Sequence, residues 1–220
     1  MSGYDNLTNT VAPIEYGVPV RSPGACSLYA GRDAVGNSCL YGVMGQETES
    51  GALFLLRIDP GTGAVERFDA PQGYNGCRSA LWSDRWNRLF MYANICEHVN
   101  ADHIRLGSGL LVFDPLVSEI VEIATPGQSN EESLSAISIA ESPDGAIWLG
   151  SYSSCEISRF DPASGKLHSI GRADDVDQYP YIMAGDDGTI AVLIKMTRPH
   201  VVVLDRASNT FIKVGPVADV

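Results

Sequence analysis

The sequence lacks the features that tie a protein to a membrane or to secretion. Its 220 residues contain no apolar run approaching the roughly 18 residues that span a bilayer. The amino-terminal segment MSGYDNLTNTVAP has neither the basic region nor the apolar core of a signal peptide. We therefore expect a cytoplasmic protein with no membrane partner, secreted only if a leader has been removed from its amino terminus.

Cationic side chains are also scarce. Fifteen Lys and Arg residues against 27 Asp and Glu residues give a formal net charge of −12. A surface of that charge repels phosphate backbones, so nucleic acid is not an expected partner. The five cysteines include no Cys-x-x-Cys pair, which leaves a zinc knuckle or a redox dithiol without support.

The residues that are abundant indicate an ordered chain with many turns. Apolar residues make up 45% of the sequence and charged residues 19%, a balance that excludes a disordered chain. Glycine (22) and proline (12) are frequent, whereas long stretches of helix-forming residues are absent. The composition predicts an all-β protein.

A repeated turn divides most of the chain into similar units. The turn that begins at Asp59 recurs at Asp114, Asp161 and Asp205, at intervals of 55, 47 and 44 residues. In the pattern Asp-Pro-x-x-Gly, the Asp side chain and the fixed φ of Pro initiate a tight turn, and Gly or Asn closes it. Repetition at this interval is typical of a structural repeat.

Each unit contains the signals of several short strands. Asp-Gly pairs at 144–145 and 187–188 are strong hairpin signals. Apolar residues alternate between the turns, as at Ile147 and Leu149, with the period of two that a half-buried strand requires. Four strands in each of several repeats of this length predict a β-propeller with four-stranded antiparallel blades.

We expect four blades in this chain, at about 24–71, 76–126, 133–173 and 179–216. Before them, residues 13–19 have the pattern of an outer strand that belongs to a further blade. Three arrangements would give this strand a partner: additional blades beyond residue 220, a second chain, or a four-bladed ring that residues 13–19 close.

The blade motifs resemble those of streptogramin (virginiamycin B) lyase-like propellers. The segments that carry the resemblance are Pro-Asp-Gly-Ala-Ile-Trp at 143–148, Arg-Phe-Asp-Pro-x-x-Gly-Lys at 159–166 and Ile-Gly-Arg at 170–172. Gluconolactonase-type, NHL and two-component-regulator propellers are similar, but less closely. The resemblance implies a propeller fold and a metal-dependent activity. Acidic residues cluster in the loops between blades, at Glu131–Glu132 and at Asp174, Asp175 and Asp177, and such oxygen-rich loops can hold Mg²⁺ or Ca²⁺ or can simply be solvated. The resemblance assigns no metal ligands to particular residues of this chain.

One face of a propeller carries both the loops between the second and third strands of a blade and the loops between blades. Blade 2 has an insertion there, at 95–109, which holds His98, His103 and Arg105. Histidine acts as a general base near neutral pH or as a metal ligand, so we regard both histidines as candidate catalytic residues. The alternative is a solvated loop without a function.

Further candidates fall on the same face. We expect Tyr181 and His200 to share the catalytic role, and we expect substrate contacts from Tyr74, Arg78, Arg105, Tyr152 and Arg198. Aromatic rings offer flat apolar contact and arginine binds a carboxylate or carbonyl, a combination suited to a saccharide or another small cyclic ligand. The alternative for each tyrosine is simple packing between blades.

Two functions follow from these candidates. The first is a lyase or hydrolase that acts on a cyclic ester or an acidic sugar, in which a His or Tyr removes a proton and a cation or Arg stabilises the enolate. The second is a non-catalytic propeller that senses a ligand or binds another protein. The insertion in blade 2 favours the enzyme, because a scaffold does not need converging His, Arg and Tyr side chains.

Overall fold

The structure is a computed structural model that describes residues 24–45, 52–99, 102–124, 135–152, 154–175, 179–195 and 199–216. These ranges contain sixteen β-strands and no helix. The described residues accordingly include no helix long and apolar enough to cross a membrane. The predicted closing strand at 13–19 lies outside the described residues.

The strands are short, and each is followed by a turn or a loop. In chain order they are β1 (Gly24–Arg32), β2 (Ser38–Gly45), β3 (Phe54–Ile58), β4 (Val65–Asp69), β5 (Gly76–Ser83), β6 (Arg88–Val99), β7 (Asp102–Asp114), β8 (Glu119–Ala124), β9 (Ser135–Glu141), β10 (Ile147–Tyr152), β11 (Glu156–Asp161), β12 (Lys166–Arg172), β13 (Tyr179–Ala184), β14 (Ile190–Lys195), β15 (His200–Asp205) and β16 (Thr210–Pro216).

The strands form four separate sheets of four consecutive strands each, which we call blades 1 to 4. All of the pairings within the sheets are antiparallel. This architecture confirms the prediction of an all-β protein built from propeller blades. The first strands of successive blades contact one another in series, from β1 to β5, β9 and β13, so they are the innermost strands. In the described residues the series does not close into a ring.

The repeated aspartates form the predicted turns. In each case the Asp carboxylate accepts a hydrogen bond from the backbone N–H two residues later, at 2.7 Å for Asp59, 2.9 Å for Asp114, 2.9 Å for Asp161 and 3.1 Å for Asp205. This contact replaces a backbone hydrogen bond and sets the direction of the chain as it reverses. The same geometry at all four positions explains why one turn pattern recurs in every blade.

Three apolar clusters hold the blades together, one at each junction between neighbours. The cluster between blades 1 and 2 contains Tyr41, Leu89 and Phe113, all of them fully buried. Trp82 of β5 stacks on Tyr41 with ring centroids 5.1 Å apart. Because each blade places alternate residues on its two faces, a single blade contributes to two of these clusters.

The predicted loop at 95–109 is wrong in its secondary structure. Strands β6 and β7 continue through this segment as a long hairpin, with Ile95 paired to Gly107 and His98 paired to His103. An inserted segment of this length satisfies its backbone hydrogen bonds by extending the ladder, whereas an irregular loop would leave them to water. The insertion therefore lengthens two strands of blade 2.

Candidate functional site

Three of the four innermost strands share a local irregularity that affects which side chains reach the centre of the arc, whereas β13 has a continuous register. The register between β5 and β6 skips Arg78, and the register between β9 and β10 skips Ile137. Strand β1 skips Cys26 in the same way. A residue that the register skips in this way forms a β-bulge, which redirects its side chain away from the regular alternation.

Arg78 and Ile137 line an open cavity of about 380 Å³ between the inner strands of blades 2, 3 and 4, together with Cys77 and Tyr181. Two residues predicted from the sequence, Arg78 and Tyr181, thus come together in one cavity. The bulges supply the first of them, and the innermost strand of blade 4 supplies the second.

The cavity combines a cation with aromatic and apolar surface. The Arg78 side chain is exposed, and Tyr181 is 38% exposed. Lys195, also exposed, places its Nζ atom 5.7 Å from the centre of the Tyr181 ring. Two cationic side chains therefore lie at or beside this cavity, in a chain whose net charge is −12.

Cys77 contributes the wall of the cavity and no reactive group. It is buried, and its thiol contacts the carbonyl oxygens of Ser79 and Tyr92 at 3.4 and 3.7 Å. A buried thiol with backbone acceptors behaves as a small apolar residue. The chemistry available in this cavity therefore belongs to Arg78 and Tyr181.

Tyr152 contacts the neighbouring blade. Its ring stacks on Tyr179, the first residue of β13, with centroids 4.3 Å apart and planes 17° apart. This arrangement matches the alternative expected from the sequence, in which a tyrosine packs between blades. The contact also buttresses the strand that carries Tyr181 two residues further on.

Tyr74 lies in the interior. Its hydroxyl donates a hydrogen bond of 2.7 Å to Glu122, and burial together with this carboxylate raises the pKa of Tyr74 above its usual range. The ring passes over Gly109, where a Cβ atom would lie 2.0 Å from the tyrosine oxygen. Tyr74 is therefore part of the packing of blade 2 and does not line the central cavity.

His200 lies at the junction of blades 3 and 4, apart from both the central cavity and Tyr74. Its Nε2 atom lies 3.4 Å from a carboxylate oxygen of Asp174, and the two side chains are 9% and 10% exposed. A carboxylate beside an imidazole fixes the orientation of the ring. The pair lies away from the residues that line the central cavity.

Four of the candidates have side chains outside the described residues. They are His98, His103, Arg105 and Arg198. The backbone places the two histidines directly opposite each other near the tip of the hairpin and places Arg105 opposite Cys96. Their roles stay predictions.

Sequence reasoning missed Ile137 and Lys195, because neither carries an obvious motif. A signal was nevertheless present, since a serine follows the bulged residue in both β5 and β9. Ser79 accepts a hydrogen bond of 3.1 Å from the backbone of Ile139, and Ser138 accepts one of 3.2 Å from the backbone of Ile182. Each serine thus ties its inner strand to that of the next blade, and aligning them would have identified the bulged positions.

The described residues contain no cluster of three or more His, Cys, Asp or Glu side chains suited to hold a metal ion. The Mg²⁺ or Ca²⁺ site expected from the sequence therefore stays a prediction for the whole chain.

Comparison of the sequence with protein-family models and with curated proteins finds no match. Comparison of the fold with solved structures does find relatives. The chain is similar to virginiamycin B lyase from Staphylococcus aureus, with a TM-score of 0.59 and 14% identity over 87% of this chain and 58% of the lyase.

Two other solved structures are similar to the same degree. An auxiliary nutrient binding protein from Bacteroides thetaiotaomicron gives a TM-score of 0.57 and 15% identity over 89% of this chain and 43% of the relative. Hydrazine synthase from Kuenenia stuttgartiensis gives a TM-score of 0.56 and 15% identity over 90% of this chain and 51% of the synthase. The chain thus spans about half the length of the structures that it matches. These similarities define the class of the protein as a β-propeller scaffold and define no activity.

Proposed function

We propose that the chain binds a small organic anion of the acidic-sugar or cyclic-ester class in the central cavity of blades 2, 3 and 4. The observation that carries the proposal is the meeting of Arg78 and Tyr181 in one cavity of about 380 Å³. That volume falls in the range of small-molecule sites.

The chemistry of the lining suits this ligand class. The guanidinium of Arg78 provides paired donors for a carboxylate or an ester carbonyl. The ring of Tyr181 and the side chain of Ile137 offer apolar surface for the carbon face of a sugar or lactone ring. Lys195, beside Tyr181, adds a second positive charge.

Calorimetric titration with glucuronate, glucono-δ-lactone and glucose tests the proposal. We expect glucuronate to bind more tightly than glucose, because only glucuronate carries a charge for Arg78. Arg78→Ala should weaken glucuronate binding by about tenfold or more, the value of one charged hydrogen bond, and Arg78→Lys should restore part of it.

Arg206→Ala is a matched control, since Arg206 is exposed and donates to the carbonyl of Gly188 in a turn of blade 4. Equal affinities for Arg78→Ala and the unmodified protein would overturn the proposal, as would equal affinities for glucuronate and glucose.

A second candidate function is catalysis at the same cavity. The hydroxyl of Tyr181 shares the cavity with a guanidinium, which is the pairing that proton abstraction next to a carbonyl requires. In this scheme Tyr181 in its phenolate form takes the proton, and Arg78 stabilises the enolate. The bond to the leaving oxygen breaks as the double bond forms, and that oxygen takes the proton back from the Tyr181 hydroxyl.

Proton NMR of glucuronate esters and lactones incubated with the protein separates catalysis from binding. A lyase or hydrolase gives products that disappear with Tyr181→Phe, whereas a binding propeller gives none. Repeating the assay with Mg²⁺, Ca²⁺ or EDTA tests the metal dependence that the resemblance implies.

A further inference from the structure

The outward face of blade 4 carries two apolar rows across its strands, flanked by Lys195 on one side and Asp205 on the other. One row of directly opposed residues runs from Tyr181 through Leu193 to Val201. A second row contains Met183, Ala191, Val203 and Ile212. Met183 is 51% exposed and Ile212 is 53% exposed, and neither row contains a charged residue. An exposed apolar surface of this extent indicates an interaction site.

The opposite end of the arc has a similar face. On blade 1, Ala30, Leu40, Ile58 and Val65 form one row. The neighbouring row joins Leu28 to Gly42 and Leu56 and ends at Arg67. Leu28 is 61% exposed. Val65 is 38% exposed, whereas Phe54 on the same face is 1% exposed and lies under Arg67, so blade 1 presents a smaller apolar patch than blade 4.

The junctions inside the arc show what covers such a face. We call the face that a blade turns toward the next blade its front, and the face that it turns toward the preceding blade its back. Tyr41 on the front of blade 1 packs with Leu89 on the back of blade 2. Trp148 on the front of blade 3 packs with Val192 on the back of blade 4. Every described junction therefore joins a front to a back.

The exposed face of blade 4 is a front and the exposed face of blade 1 is a back. The alternation within each strand establishes this, because Val192 and Ile182 face blade 3 while their neighbours Ala191 and Tyr181 face outward. One copy of the chain therefore carries both halves of a further junction of the same kind.

We propose that a second copy of this chain covers both ends, so that the front of blade 4 in each copy packs on the back of blade 1 in the other. A junction between unlike faces closes only if the rotations add to a full turn, so the proposal requires that each arc spans half a turn about the two-fold axis. A front-to-front dimer would leave both backs exposed. The ring of two copies leaves no end exposed and continues the contacts already present between blades.

The proposed junction also borders the central cavity, because Tyr181 belongs both to the exposed row of blade 4 and to the cavity lining. Blade 1 of the second copy would then form the remaining wall beside Tyr181. The proposal does not depend on the ligand assigned above.

Sedimentation velocity of the 220-residue chain tests the proposal directly. We expect a species with twice the mass of one chain. Met183→Glu on the front of blade 4 and Leu28→Glu on the back of blade 1 should each halve that mass by burying a charge in the junction. Leu116→Glu is the matched control, since Leu116 is 69% exposed in a turn of blade 2 and belongs to neither face. Circular dichroism verifies that each variant is folded.

Mixing the two variants gives the sharper result. A pair of one Met183→Glu chain and one Leu28→Glu chain has one junction with two unmodified faces, whereas either variant alone has none. The mixture should therefore recover dimers that neither variant forms alone.

Several outcomes would overturn the proposal. A monomeric unmodified chain would mean that something other than a second copy covers these faces. Loss of the dimer in Met183→Glu with its retention in Leu28→Glu would indicate a front-to-front pair, and an open series of larger oligomers would exclude closure. A mixture that stays monomeric would exclude the front-to-back junction.

Discussion

Gly31 provides the most direct test of how blades 1 and 2 fit together. The indole of Trp82 lies directly over this residue, and a Cβ atom there would be 2.7 Å from Cδ2 and 2.8 Å from Cε2 and Cε3. These distances are about 1 Å too short for carbon atoms in contact. The indole has little freedom to retreat, because it stacks on Tyr41 and its Nε1 atom donates a 3.1 Å hydrogen bond to Asp84.

The expected cost of Gly31→Ala combines three terms. Overpacking costs about 1–3 kcal/mol, and disturbing an aromatic stack costs about 0.5–1.5 kcal/mol. Replacing Gly by Ala restricts the unfolded chain, which offsets about 0.4–1 kcal/mol because φ at Gly31 is outside the left-handed region. The net loss of unfolding free energy should be about 0.5–4 kcal/mol, which lowers Tm by about 1–16 °C in a chain of this size.

Thermal and urea unfolding followed by far-ultraviolet circular dichroism measure this loss. Gly107→Ala is the matched control, since Gly107 is also in a strand and no atom lies within 4 Å of its added Cβ. The control should be neutral or slightly stabilising. In a Trp82→Leu background, Gly31→Ala should cost much less. An unfolding free energy for Gly31→Ala equal to that of the control would refute the reasoning.

Three other predictions concern stability. Tyr92→Phe removes a buried hydroxyl that shares a 2.6 Å hydrogen bond with Ser151, so it should lower the free energy of unfolding by about 1–3 kcal/mol. An unchanged midpoint in urea unfolding would contradict this. Hydrogen bonds from the Ser142 hydroxyl and the backbone N–H of Ala146 lower the pKa of Asp144 from 3.8 to about 2. The contribution of this carboxylate to the unfolding free energy is therefore complete above about pH 4 and is lost as the pH falls toward 2. Asp144→Asn should therefore flatten the fall in unfolding free energy between these pH values, and parallel pH profiles for the two proteins would exclude this contribution. Replacing residues 96–106 with an Asn-Gly turn should preserve cooperative unfolding. Ile95 and Gly107 already oppose each other, and a two-residue turn joins such positions. Loss of the cooperative transition would show that the hairpin supports the fold.

The repeating parts of this protein could be predicted from the sequence. The Asp-Pro turns, the Asp-Gly turns and the alternation of apolar residues are local features, and each requires only a few neighbouring residues to act. Because these local rules repeat along the chain and specify each blade, the sequence was enough to predict the all-β propeller architecture. The same rules did not distinguish an inserted loop from a longer hairpin at 95–109, since the polar composition of that segment suits either.

The grouping of the candidate residues was decided by tertiary structure. Arg78 and Tyr181 are more than 100 positions apart, and they share a cavity because a β-bulge turns Arg78 away from the regular alternation of β5. Tyr74 and His200 have the same residue types as good site candidates, yet packing assigns Tyr74 to the interior beside Glu122 and His200 to a junction beside Asp174. A residue type states which chemistry is available, whereas the register of the strands and the packing of the blades determine which side chains meet at the centre.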